Sequence, residues 1–421
     1  MRPYTLKELL LYTKNNVGFY SSLIPKTIAL DCNTQDIAEI FMSLPTVDKQ
    51  QMKHNIRSFF SDEYKDANLD EIIDSKKDVK KEYTYEVNGK KIIAEYSSGT
   101  TGVPSLSIKT INERLLLGNQ LWKLRNQICS VKTNEFFNFI HNFGSTQYPF
   151  PFPIDPYDTE QKKLKKELDY LSNSKYKWWH INTYRLSLYS DILNSYPLKF
   201  NHLKVIENNG SYVSESEMKD ISNIYNCRVV NNYGCREVWT IAFDCPCGYL
   251  HVNDEAIVFE LFDDSGNIIE KSNIVGNVVI TSLCQSAMPF IRYKTGDQAS
   301  YLDGSCECGK IGKRVKLIPG RSVIYGTDIY GNIHFRSVIR TLLSNNDYNF
   351  DSIDIVQTGI YEFNVHIKTK TIVDHEMEDM FKIISNNLLK DNRYQYVFSY
   401  NSQTQPKSIF TVAITKNVLI Q

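Results

Sequence analysis

The 421-residue chain has no surplus of charge of either sign: Lys+Arg and Asp+Glu both count 48. That leaves no global field to draw in nucleic acid or an acidic membrane surface. No apolar run approaches the roughly 20 residues needed to span a bilayer. The opening stretch, Met1-Arg2-Pro3-Tyr4-Thr5-Leu6-Lys7-Glu8, has no apolar signal core, and Leu9-Leu10-Leu11 is soon interrupted, so a cytoplasmic location is expected. Nine cysteines, an odd number in a long chain without a leader, argue against a disulfide framework. No Gly-Lys-Ser/Thr closes a phosphate loop, which disfavours a Walker-type or GTP-switch protein. No internal repeat at a fixed period is apparent. What remains is an ordinary globular composition, 42% hydrophobic, in a chain too long for one compact core. Two or more domains are expected.

The most informative stretch that is present is Tyr96-Ser97-Ser98-Gly99-Thr100-Thr101-Gly102-Val103-Pro104-Ser105. A run with the β-branched content of a strand, Lys91-Ile92-Ile93-Ala94-Glu95-Tyr96, leads into it. Glycines allow close backbone approach, inward N–H groups and hydroxyls supply donors, and the whole suits a phosphate-gripping turn. An ordinary polar loop has the same composition.

Residues 1–85 carry helical apolar spacing (Leu6, Leu9, Leu10; Ile37, Ile40, Phe41) and read as a helical lead-in, with Thr46 or Asp48 as an N-cap. Beyond the loop, helical stretches (Asn112–Val131, Thr159–Leu171) alternate with strands at Phe136–Ile140, Leu203–Ile206 and Cys227–Val230. This predicts an α/β core over 86–254, with sites in loops at the carboxyl ends of the strands. From 255 to 320 the texture turns β-rich, with strands at Ala256–Leu261, Gly276–Thr281 and Pro289–Tyr293. The predicted domains are 1–320 and 321–421, the second a small α+β unit with helices at Phe335–Leu343 and Asp374–Leu389.

Three further constellations stand out. In Asn231-Asn232-Tyr233-Gly234-Cys235-Arg236-Glu237 a tyrosine at a strand end can stack on a base, and Glu237 can hold Mg²⁺ through oxygen. In Arg292-Tyr293-Lys294-Thr295-Gly296-Asp297 an aspartate after a glycine turn can accept from ribose hydroxyls. Gly320-Arg321 marks the presumed domain joint. Each alone is a common turn sequence.

Taken in this order, with Ser43-Leu44-Pro45-Thr46-Val47-Asp48-Lys49 and Leu250-His251-Val252-Asn253-Asp254-Glu255, they resemble the adenylate-forming superfamily almost end to end. Within it they resemble the phenylacetate–coenzyme A ligase family. Arg236, where most of the superfamily has Thr or Ser, is similar to the branch found in capsule and surface-polysaccharide gene clusters. The resemblance implies a large N-terminal adenylate-forming α/β domain with a β-rich extension, and a small mobile α+β domain. It implies ATP-dependent activation of a small-molecule carboxylic acid as an acyl-adenylate, followed by transfer to coenzyme A or another thiol, amine or hydroxyl acceptor. Positioning and charge stabilisation carry such chemistry.

By the same resemblance Ser97, Ser98, Gly99, Thr100, Thr101 and Gly102 wrap the β/γ-phosphates, and Tyr233 stacks on adenine, with Gly234 and Arg236 also cofactor-binding. Glu237 ligates Mg²⁺, Asp297 binds ribose, and Arg321 contacts ribose or phosphate. The acid is walled by His141, Phe143, Gly144, Asn208, Asn209, Gly210 and Tyr212. Aromatic loops favour a flat or apolar acid, while Asn208-Asn209, standing where relatives have an apolar-Gly-Glu sequence, leave a polar one open.

The chain departs from the pattern in three places. No lysine ends the phosphate loop, so Lys109 is the nearest cation; Ser322 follows Arg321 where an acidic hinge residue is usual; and the C-terminal catalytic lysine is best matched by Lys407, with Lys416 or none as alternatives. A catalytically silent nucleotide-binding or regulatory homologue is therefore the rival reading. The sequence leaves a homodimer open.

Cys245-Pro246-Cys247-Gly248 and Cys306-Glu307-Cys308-Gly309, with His251 four residues beyond Cys247, offer five donors for a tetrahedral, structural Zn²⁺. Family members favour Cys245, His251, Cys306 and Cys308; the all-cysteine set with Cys247 is the rival. Cys32, Cys129, Cys227, Cys235 and Cys284 read as buried small hydrophobes.

Overall fold

The computed structural model describes residues 2–26, 28–29, 31–65, 83–96, 106–139, 150–153, 158–181, 183–209, 213, 215–318, 325–328, 331–334, 352–359, 361–368, 375–389, 393–400 and 410–414. These divide into two compact units, one reaching Ile318 and one formed by the C-terminal residues.

In the first unit, helices Leu6–Asn16, Gly18–Ser21, Thr34–Ser43 and Lys49–His54 form the N-terminal part. Three of their starts are set by capping boxes, at Thr5/Glu8, Asn33/Asp36 and Asp48/Gln51; Asp48, not Thr46, is the cap. A three-stranded antiparallel sheet follows, β1 (Tyr83–Val87), β2 (Lys90–Tyr96) and β3 (Leu106–Thr110). Thr110 and Glu113 then cap the helix Ile111–Ile128.

The main sheet has ten strands: β4 (Phe136–Asn138), β5 (Trp178–Ile181), β6 (Val205–Asn209), β7 (Arg228–Cys235), β8 (Trp239–Asp244), β9 (Leu250–Val252), β10 (Ile257–Phe262), β11 (Val275–Ser282), β12 (Tyr293–Tyr301) and β13 (Arg314–Ile318). Their order is β10-β11-β12-β13-β9-β8-β7-β6-β5-β4, so the α/β core and the β-rich extension share one sheet. Strands β4 to β7 are parallel, and every pairing from β7 onward is antiparallel.

The parallel half is buried on both faces, which is why its strands read as apolar runs. Trp179, Ile181, Ile206 and Val229 pack with residues of helices Glu160–Ser172 and Thr183–Ser195, while Trp178, Val205 and Val230 pack with Leu121 and Leu124. The antiparallel half packs with the N-terminal helices.

That half is strongly curled. Four strand steps separate β7 from β12, roughly 19 Å if laid flat, yet the Tyr233 hydroxyl reaches Asp297 Oδ2 at 3.0 Å. The predicted strand at Pro289–Tyr293 starts only at Tyr293. The residues before it are buried irregular chain, where Arg292 adopts φ +49° and pairs with Glu260 at 3.1 Å. Its guanidinium also donates to the carbonyls of Met42 and Leu44, and Val47 bridges to Tyr293, so the N-terminal Ser43–Lys49 segment is docked on the head of β12.

The second unit contains the hairpin β14 (Tyr325–Asp328) and β15 (Gly331–His334), and a mixed sheet of β16 (Ser352–Gly359), β17 (Glu362–Lys368), β18 (Gln395–Tyr400) and β19 (Phe410–Ile414) in the order β18-β17-β16-β19. Among the described residues of this unit a helix spans His375–Leu389. The predicted helix Phe335–Leu343 lies outside the described residues. Among the described residues no helix is long and apolar enough to cross a membrane.

Candidate functional site

Tyr233, expected at a strand end, lies inside β7, which runs on to Cys235. The reason is a bulge between Tyr233 and Gly234 that lets the strand continue through the glycine. A Cβ on Gly234 would sit 1.7 Å from the Trp239 carbonyl oxygen, so only glycine fits, and Trp239 itself adopts φ +64°. Asp297 likewise lies inside β12 and not in a free turn; Gly296 takes φ +83° there, next to an irregularity in the β11–β12 register.

The curl of the sheet brings these two motifs together. Tyr233 is 9% exposed and donates its hydroxyl to Asp297, and burial followed by the Asp297 charge keeps that hydroxyl protonated, well above the ordinary tyrosine range. Glu237 is buried, accepts from the Tyr293 hydroxyl at 3.3 Å, and its carbonyl accepts from Gln285 Nε2 at 2.9 Å. An aromatic ring and two carboxylates from β12 and the β7–β8 turn thus share one corner.

Arg236 ties that corner to the base of the Ser/Gly/Thr stretch, donating to the Tyr96 carbonyl. Its own carbonyl accepts from Lys109 Nζ at 3.0 Å. Lys109 is fully buried and held by Glu95 at 2.8 Å and Ser107 at 3.0 Å. The first cation after the Ser97–Gly102 stretch in sequence is therefore a strut between β3, β2 and the β7–β8 turn.

The second cluster is built from two matching turns. In each the fourth residue donates its N–H to the first carbonyl, Gly248 to Cys245 at 2.9 Å and Gly309 to Cys306 at 3.0 Å, with both glycines left-handed at φ +83° and +73°. Pairing of β13 with β9 sets Arg314 opposite His251 and brings the turns together. The donor atoms of Cys245, His251, Cys306 and Cys308 lie within 4.8 Å of one another; Cys247 is exposed and outside the set.

Cys245 Sγ is 3.7 Å from Cys306 Sγ, and Cys308 Sγ is 3.6 Å from His251 Nε2. A tetrahedral zinc with Zn–S of about 2.3 Å and Zn–N of about 2.05 Å has edges of roughly 3.8 and 3.6 Å. His251 Nδ1 is buried without a hydrogen-bond partner. Burial, then Lys310 and Arg314, push His251 down to about 4, which keeps the imidazole a neutral donor. The Cys308 N–H holds the Cys306 thiol below its usual range. The set fits a closed S₃N metal site. Of the other cysteines, Cys284 is buried while Cys32, Cys129, Cys227 and Cys235 are only partly so.

No family model matches the chain. Over 212 residues, half of this chain and 43% of the other, it is 20% identical to "Protein CapK" of Staphylococcus aureus, so it aligns with less than half the length of that curated relative. Among solved structures, 2-hydroxyisobutyryl-CoA ligase in its postadenylation state with 2-HIB-AMP superposes with a TM-score of 0.58 at 12% identity, covering 98% of this chain and 88% of that one. The same ligase in its thioesterification state with 2-HIB-AMP and CoA gives 0.57 at 14%, covering 97% and 88%.

The fold is that of an adenylate-forming ligase. Several residues expected to serve the site of such a ligase lie outside the described residues: Ser97, Ser98, Gly99, Thr100, Thr101, Gly102, His141, Phe143, Gly144, Gly210, Tyr212, Arg321 and Lys407. Asn208 and Asn209 are described, at the carboxyl end of β6, where ligands sit in open α/β sheets.

Beside them the ligase fold assembles a polar cluster that the motif reading missed. Glu207 is buried and gripped by Arg125 at 2.7 and 3.0 Å, Trp178 Nε1 at 2.9 Å and Asn232 Nδ2 at 2.8 Å. His180 bridges Asn138 and Asn209. A signal was present: Phe-Phe-Asn, Trp-Trp-His, Val-Ile-Glu-Asn-Asn and Val-Val-Asn-Asn all end an apolar run on polar residues.

Proposed function

We propose that this chain activates a carboxylic acid with ATP. A carboxylate oxygen attacks the α-phosphorus, the bond to the leaving pyrophosphate breaks, and the acyl-adenylate forms; a thiol, amine or hydroxyl then takes the acyl group and AMP departs. The observation that carries the reading is the Tyr233–Asp297 contact beside buried Glu237, in a chain with this fold. In this reading Tyr233 and Gly234 face adenine, Asp297 takes the ribose hydroxyls, and Glu237 holds Mg²⁺. Ser97 to Gly102 serve the phosphates, Arg236 belongs to the same nucleotide-binding set, Arg321 serves the ribose or phosphate, and Lys407 the α-phosphate.

The chain is read as phenylacetate–coenzyme A ligase-like, with residues 1–320 adenylating and 321–421 the small domain. Coenzyme A is the default acceptor; Arg236, the mark of the surface-polysaccharide branch, gives a sugar or amine as the other. Cys245, His251, Cys306 and Cys308 would hold a zinc ion, which supplies no chemistry to the reaction and staples β9 to the 306–309 turn. ATP–pyrophosphate exchange with Mg²⁺ and a panel of aryl, short acyl, long acyl, amino and sugar acids tests the reading. Exchange driven by one acid class supports it; ATP binding with no exchange for any acid turns it to the silent homologue.

A further inference from the structure

We propose that the Asn138–His180–Asn209 chain of side chains selects the acyl substrate, and that the acid it selects bears a neutral hydrogen-bonding substituent such as a hydroxyl on its carbon skeleton. The inference rests on the acid-activating reading above.

Register places Asn138 beside His180, His180 beside Glu207, and Asn209 beside Asn232, so these residues share one face at the carboxyl ends of four adjacent parallel strands. Nearer the strand starts that face is apolar, built from Phe136, Trp178, Val205 and Val230 against the helix Ile111–Ile128. Toward the strand ends it turns polar.

His180 is 8% exposed, and both ring nitrogens are used. Nδ1 lies 2.9 Å from Asn138 Oδ1 and Nε2 3.1 Å from Asn209 Nδ2. The two contacts fix one tautomer, with Nδ1–H donating to Asn138 and Nε2 accepting from Asn209. Glu207 Oε1, 3.6 Å from Nε2, is too far for a hydrogen bond and is occupied by Arg125 and Asn232.

The consequence falls on Asn209. One of its N–H groups is locked onto His180, which fixes the plane of the carboxamide, while its oxygen and second N–H have no partner among the described residues and the side chain is half-buried. Asn209 pairs in register with Asn232, the residue before Tyr233. An oriented donor and acceptor are therefore presented one strand from the adenine tyrosine. The charges beneath are paired, Glu207 with Arg125, so the outlet is neutral and matches a hydroxyl or amide better than a second carboxylate. Asn209 is the contact residue, and His180 and Asn138 are positioning residues.

The test uses the full chain in ATP–pyrophosphate exchange with matched acid pairs, each a hydroxy or sugar acid and its deoxy isostere. Wild type is expected to favour the hydroxylated member by about 100-fold or more in kcat/KM, because a site built around a hydroxyl leaves polar groups unpaired with the isostere. Asn209→Leu and His180→Leu should each cut that ratio about tenfold or more through KM for the hydroxylated acid, leaving KM for ATP unchanged; His180→Gln should restore most of it. If His180→Leu fails to fold, Asn209→Leu, at a half-exposed position, decides. A wild-type preference for the apolar member, or an unchanged ratio in folded variants, overturns the proposal while leaving acid activation standing. Absence of exchange with every acid overturns the underlying reading and the proposal with it.

Discussion

Replacing Lys109 by Met removes the cation from a pair in which both side chains are fully buried. The Lys109 ammonium also holds Ser107 Oγ and the Arg236 carbonyl, each at 3.0 Å. Without it the Glu95 carboxylate keeps, among the described residues, Arg114, 3.6 Å away, and the Trp239 indole N–H at 3.4 Å. Leaving one buried charge uncompensated costs about 3–5 kcal/mol, a fall of roughly 5–10 °C in melting temperature for a unit of this size.

The informative variant is the double one, Lys109→Met with Glu95→Leu. Replacing both members of a buried pair by apolar residues of similar volume is close to neutral or stabilising, so the double variant should recover most of the lost stability. Thermal and urea melts read stability, and equilibrium ATP binding reads function. If Lys109 is a strut, the double variant binds ATP within a few-fold of wild type. Two results refute this: a single variant destabilised by less than about 1 kcal/mol, or a stable double variant that has lost ATP affinity. The second would make Lys109 the missing phosphate-loop lysine after all.

Three further outcomes follow from the geometry. Purified protein should carry about one zinc per chain by elemental analysis; Cys306→Ser and His251→Ala should lose it, and Cys247→Ser should retain it. Gly234→Ala drives a methyl group into the Trp239 carbonyl and should cost about 3 kcal/mol or more, as overpacking against backbone does, measured by urea denaturation. Burial holds His180 down to about 4, with Arg125 adding to the effect and Glu207 opposing it. Its stabilising contribution is therefore complete above pH 6.5 and lost as pH falls toward 4, by about 3 kcal/mol. Asp244, raised to about 7 by burial, has the opposite slope, so the test is the difference between wild type and His180→Gln across that range.

Much of the frame was legible because it depends on local pattern. Apolar runs gave strands near their true places, and Asp48 announced a helix start through its own capping chemistry. Two of the misreadings share one cause. Gly234 and Gly296 were read as turns, since glycine after a strand usually ends it, but both sit inside strands at or beside irregular register. Whether glycine breaks a strand or bulges it depends on the partner strand, which local sequence does not contain. Spacing alone leaves the choice among five candidate metal donors open for the same reason, although the family resemblance favours Cys245, His251, Cys306 and Cys308. Cys245 and Cys247 flank one proline, and only the packing of the turns buries one and exposes the other.

The curl of the sheet explains why the site residues come from such separated stretches. In the parallel half every strand presents its carboxyl end to the same side, which supplies a row of side chains, Asn138, His180, Asn209 and Asn232, but no way to close over a ligand. The switch to antiparallel pairing at β7–β8 changes this. From there the sheet coils until β12 faces β7, and the Asp297 carboxylate arrives beside Tyr233 from 64 residues away in sequence. Register irregularities lie beside both residues, and Arg292, clamped to Glu260 and to the carbonyls of Met42 and Leu44, holds the head of β12 in place. Substitutions at Arg292 or Glu260 should therefore disturb the Tyr233–Asp297 contact through the head of β12.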